Sequence, residues 1–146
     1  MQRTISILLL VLSGLLIGQL LNSSTTAEDK DDTKKDVRLF EMRIYTTHPD
    51  KLDDLHARFR DHTNKIFVKH GMQLVGYWTP EDEETRDNTL IYILAYPSLD
   101  ARKLAWAAFI KDPDWQKAYR ESRADGAIVK KVESRFMSAT DYSPIK

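Results

Sequence analysis

The chain has 146 residues, with 22 Lys and Arg against 22 Asp and Glu, four His and no Cys. Without cysteine it can form no disulfide, attack no substrate through a thiolate and offer no thiolate to a metal. The two charge signs are scattered along the chain rather than gathered, which argues against a nucleic-acid partner, because phosphate binding concentrates Lys and Arg on one face.

At the N-terminus a single Arg3 precedes the apolar run ISILLLVLSGLLIGQLL, and the small polar stretch NSSTTA follows it. Positive, apolar, then small is the order of an export signal, predicted over residues 1–27, so the mature chain starts near Glu28 and works in the periplasm or outside the cell. The alternative is an uncleaved anchor, since Ile5 to Leu21 approaches the roughly 17 to 25 apolar residues that span a bilayer. Contact with a membrane is expected only through that segment. Residues 28–36, EDKDDTKKD, carry no apolar side chain and are read as a disordered tether.

The domain is predicted over residues 37–146. A strand from Val37 to Thr46 puts Phe40, Met42 and Ile44 on one face and Glu41, Arg43 and Tyr45 on the other. The apolar trio is expected to meet the helices, and the polar trio to line the opposite face. Asp50 is expected to cap a helix from about Lys51 to Lys69, with Leu52, Leu55, Phe59, His62 and Ile66 on one stripe and Gly71 as its stop. MQLVGYWTP and TLIYILAY read as a hairpin around the acidic loop EDEETRDN. Ser98 caps a second helix with Ala101, Leu104, Ala105, Ala108 and Phe109 as its apolar stripe, and Asp112-Pro113 restarts it. Trp115, Ala118 and Tyr119 carry that helix on until Gly126. A last strand covers about Lys131 to Ser138.

The order β-α-β-β-α-β predicts an α+β, ferredoxin-like fold: a four-stranded antiparallel sheet with both helices on one face. In TLIYILAY, Ile91 and Ile93 alternate with Leu90, Tyr92 and Leu94. Whichever set meets the helices, the other leaves an apolar face, and such a face marks an interface. Two copies are therefore expected to pack sheet against sheet as a homodimer, enclosing a cleft for a small ligand. Glu41, Arg43, Tyr45 and Tyr92 are its candidate lining, with His62 as a possible ligating or acid-base group. The plainer alternatives are a structural Arg43 pair with Glu41 or Glu133 and a core role for His62.

The stretches FEMRIYTTHPDKLDDLHARFRDHTNKIFVKHGMQLVGYWTP, NTLIYILAY, KDPDWQKAYRESRADGAIV and TDYSPIK resemble the NIPSNAP family, part of the dimeric alpha-beta barrel group. The likeness runs from Leu39 to Lys146. It implies one ferredoxin-like domain that assembles as a dimeric α/β barrel and, by analogy with animal members, a role in recruiting partner proteins. Related barrel families imply the competing activity, a small oxygenase-like or haem-handling enzyme using the intersubunit cleft. The resemblance brings no catalytic motif to these positions.

No metal site is predicted, because no two of His48, His56, His62 and His70 stand four apart as a helical zinc pair would. The five glycines are spread singly, so neither a phosphate loop nor a dinucleotide fingerprint is present. The leading expectation is a ligand-binding or protein-interaction module with no cofactor.

Overall fold

The computed structural model describes residues 38–146. The predicted export signal and tether, and Val37, lie outside the described residues. Strand β1 (Leu39–Thr47) leads to helix α1 (Leu52–Arg58), which passes through a π-helical turn (Phe59–Thr63) into α2 (Asn64–Lys69). Strands β2 (Gln73–Trp78) and β3 (Thr89–Tyr96) form the hairpin, helices α3 (Leu99–Lys111) and α4 (Pro113–Glu121) follow, and β4 (Val129–Ser138) closes the sheet. The strand order is β2-β3-β1-β4 and every neighbouring pair is antiparallel, as the ferredoxin-like order requires. Among the described residues no helix is long and apolar enough to cross a membrane.

The predicted punctuation holds at most positions. Ser98 accepts a hydrogen bond from the Ala101 amide at 3.1 Å, and Asp112 accepts one from the Asp114 amide at 2.8 Å with Pro113 in the first helical position. Gly71 adopts φ +76, the left-handed conformation that ends α2 without a Cβ clash. Asp50 departs from expectation. It takes φ 58 in the turn before α1, and the N-cap position falls on Lys51, which makes no side-chain cap bond.

Two helical stripes are rotated from their predicted phase. The extra residue in the π-helical turn brings Thr63 rather than His62 to the sheet: Leu55, Phe59, Thr63, Ile66 and Phe67 are buried and His62 is exposed. The Asn64 amide bonds back to the Phe59 carbonyl across that turn, and the Thr63 hydroxyl donates to the Arg58 carbonyl at 3.1 Å. In α3 the buried line is Ala105 and Phe109 flanked by Arg102 and Trp106, while Leu104 is 73% exposed.

The largest correction concerns the faces of β1. Residues directly paired across a sheet share a face, and Glu41, Arg43 and Tyr45 pair with Leu94, Tyr92 and Leu90 of β3. These belong to the buried core with Leu55, Phe67 and Phe109, so the polar trio faces the helices. Phe40, Met42 and Ile44 pair with Ala95, Ile93 and Ile91 on the open face, where Trp78 opposes Ile91 from β2. Period-two alternation separates two faces but cannot say which of them the helices cover. That choice follows from what the helices offer, which here is Arg102 and Trp106 for Glu41.

The core itself is aromatic. Phe67 packs on Phe109 at 4.7 Å between ring centroids and Phe109 on Trp115 at 4.4 Å, while Tyr77 stacks on Tyr92 at 5.6 Å. Such pairs add specific geometry to the area that large rings bury. Trp115 thereby anchors the start of α4 to α3.

Candidate functional site

The centre of the helix face is a buried carboxylate. Glu41 has no exposed surface, and six hydrogen bonds converge on its two oxygens. Its Oε1 accepts from Arg43 at 2.8 Å, Arg102 at 2.7 Å and Ser134 at 2.6 Å. Its Oε2 accepts from Arg102 at 2.9 Å, Tyr96 at 3.2 Å and the Trp106 indole at 3.3 Å. Burial alone would raise the carboxyl pKa, but the bonds from Arg102, Ser134 and Arg43 outweigh it and hold the group at about 2. A carboxylate so fully bonded and so far from neutrality is not a proton carrier at physiological pH.

Arg43 is fully engaged as well. Besides Glu41 it donates to the Tyr92 hydroxyl at 2.9 Å and the Tyr45 hydroxyl at 3.3 Å, and its guanidinium lies 4.4 Å from the Trp106 ring centroid. Desolvation by itself would lower its pKa, yet the neighbouring Tyr92, Tyr45 and Glu41 raise it above the ordinary arginine value. Tyr92 is completely buried, and burial pushes its phenol well above the usual range. The predicted meeting of Tyr45 and Tyr92 is present, with ring centroids 5.3 Å apart.

Four of the five candidate residues are therefore brought together, but between sheet and helices rather than on the open face. The plainer reading of Arg43, pairing with Glu41, describes its geometry. Glu133 lies opposite Ile44 and pairs with Lys131 at 2.9 Å instead. His62 is not part of the group. It lines a polar outer groove with Lys51, Asp61 and Glu121, because the π-helical turn carries it to the outside of the helix.

Beside this network lies a cavity of about 310 Å³ walled by Tyr45, Phe59, Phe67, Trp106, Trp115 and Tyr119. Tyr45 belongs to both, its hydroxyl on Arg43 and its ring on the cavity. Arg58 also lines the cavity and is only 4% exposed. Sequence reasoning missed Arg58, Arg102, Trp106, Tyr96 and Ser134. Arg58 had a visible signal, since it falls three residues after Leu55 and next to Phe59 on the buried stripe. Ser134 shares a strand face with Val132 and Phe136, and its register opposite Arg43 came only with the fold. Among the described residues no group of three or more His, Asp or Glu is placed to hold a metal ion.

Fold and site together define an α+β, ferredoxin-like domain with an ionic network and an apolar cavity between its sheet and its helices. The NIPSNAP family model matches residues 40–144, and the chain belongs to that family. A NIPSNAP family protein of unknown function from Agrobacterium tumefaciens superposes with a TM-score of 0.65 at 25% identity, covering 75% of this chain and 94% of that one. A second NIPSNAP family protein from the same organism gives 0.65 at 24% identity, covering 75% and 99%. An uncharacterised NIPSNAP-like domain protein from Burkholderia xenovorans gives 0.64 at 20% identity, covering 73% and 89%. No curated protein matches the chain.

Proposed function

We propose that this NIPSNAP protein is a homodimeric binding module that holds a small apolar ligand in the cavity of each subunit and works outside the cytoplasm. The observation that carries the reading is the cavity of about 310 Å³ with its aromatic walls, at the small end of the roughly 300–1,000 Å³ typical of small-molecule sites. The ionic network around Glu41 serves as the rigid floor that fixes Tyr45 and Trp106 against it. The open sheet face, with Met42, Ile44, Ile91, Ile93 and a half-exposed Trp78, supports the second copy, since an apolar sheet face wants a cover. The leader-like residues 1–27 support the location.

The test is a native mass spectrum of the chain purified from its own compartment, with sedimentation at micromolar concentration. A dimer carrying an added small mass is expected, and Ile93→Glu on the open face should convert it to monomer with the ligand still bound. A parent protein that sediments as a monomer removes the dimer. Loss of the ligand in Ile93→Glu moves the site to the subunit junction.

A further inference from the structure

We infer that the ligand is a small organic acid, a single-ring or short-chain carboxylate, whose carboxylate is gripped by Arg58 while its apolar body fills the aromatic cavity. The inference deepens the ligand-binding reading above and rests on it.

Arg58 is the one feature of the cavity wall that packing does not explain. Its side chain is buried, but among the described residues it has no carboxylate within ion-pair distance. Its Nη1 donates to the Ser122 hydroxyl at 3.4 Å. Its Nε is buried without any hydrogen-bond partner among the described residues, and no described residue accepts from Nη2. A buried cation left in this state is costly, and native proteins pair such groups. Desolvation lowers its pKa accordingly.

The unengaged Nε and Nη2 atoms form one edge of the guanidinium, the fork that matches a carboxylate with two parallel bonds. The same molecule displays what that edge does. Arg102 grips Glu41 with its Nε at 2.9 Å and its Nη2 at 2.7 Å. Arg58 is an arginine of the same kind with no internal glutamate to hold. The rings of Trp115 and Tyr119 stand 5.5 and 5.6 Å from its Cζ and 5.4 Å from each other, so both lie on one side of the guanidinium and neither offers it an acceptor for Nε or Nη2.

Two further observations fix the side from which the ligand comes. Arg58 also borders the outer groove, whose Asp54, Asp61, Glu121 and Asp125 outnumber its Lys51 and repel an anion, whereas the cavity walls are aromatic or aliphatic, with Thr63, and uncharged apart from Arg58. Arg58 is also the last residue before the π-helical turn, and Phe59 and Thr63 of that turn line the same cavity. A π-helical turn re-aims side chains within a helix and recurs at functional sites. Here it sets Arg58, Phe59 and Thr63 around one space.

The test uses the full chain and three probe acids, phenylacetate, benzoate and hexanoate, each against its neutral amide, read by calorimetry and by the fluorescence of Trp106 and Trp115. At least one acid is expected to bind tenfold or more tighter than its amide. Arg58→Met should bring the acid's affinity down to the amide's while its thermal midpoint stays level or rises, because the unpaired buried charge is gone. Should Arg58→Met fail to fold, Arg58→Lys, which keeps the charge and loses the fork, is expected to lose most of the acid preference, and the acid-to-amide comparison in the parent stands alone. Equal binding of acid and amide, or full acid binding by Arg58→Met, overturns the carboxylate grip and leaves the cavity as a site for neutral ligands. If no acid and no amide binds, both the grip and the cavity reading fall.

Discussion

Replacing Glu41 by Gln tests whether the network at the sheet centre is ionic and structural. The substitution keeps the shape of the side chain but removes the charge and turns one oxygen, now bonded by three donors, into a donor itself. Arg43 and Arg102 then share a buried pocket without a counter-ion, and removing one partner of a buried pair costs about 3–5 kcal/mol. The pH dependence gives an independent figure. A carboxyl held at about 2 in the fold, against its ordinary 4.5, contributes about 3 kcal/mol of stability above pH 4.5. Because the folded-state value is the lower one, that contribution is complete above pH 4.5 and is lost as the pH falls from there through about 2. At pH 3 about 2 kcal/mol of it should already be gone.

Urea unfolding of the parent and Glu41→Gln, followed by tryptophan fluorescence at pH 7 and pH 3, measures both quantities. The gap between the two proteins should be about 3–5 kcal/mol at pH 7 and narrower by about 2 kcal/mol at pH 3. Other carboxylates that titrate in this window, including the Asp112 cap held low by Lys69 and His70, are present in both proteins and cancel. A gap below about 1 kcal/mol at pH 7, the size of an ordinary neutral hydrogen bond, would refute the ionic account. So would a gap that does not narrow in acid.

Tyr92→Phe removes only the hydroxyl that accepts from Arg43 Nε, leaving a buried cationic donor unpaired. It should cost about 1.5–3 kcal/mol in the same urea assay, and a neutral result would mean that Arg43 re-pairs with Tyr45. Thr63→Val keeps the branched shape but deletes the bond to the Arg58 carbonyl, for a loss of about 1 kcal/mol. Faster amide exchange should then be confined to Phe59–Thr63 and Asn64, and a spread across the whole helix would show that the hydroxyl does not hold the π-helical turn.

The element order, the hairpin, the helix restart at Asp112-Pro113 and the apolar character of both sheet faces were all set by the sequence alone, because each rests on local chemistry. A proline fixes φ, a capping oxygen meets free amides, and alternation puts neighbours on opposite faces. The phase of those elements was decided by tertiary structure. Nothing local says that Glu41 rather than Phe40 meets the helices, since the answer depends on Arg102 and Trp106, more than sixty positions away. The exposure of His62 depends on one added residue in a helical turn, which leaves the i, i+3, i+4 pattern ambiguous between His62 and Thr63. Arg58 shows the same division. Its place on an apolar stripe is written in the chain, while its free guanidinium edge exists only where β1, β4 and the helices close around one cavity and none of them brings a carboxylate to meet it.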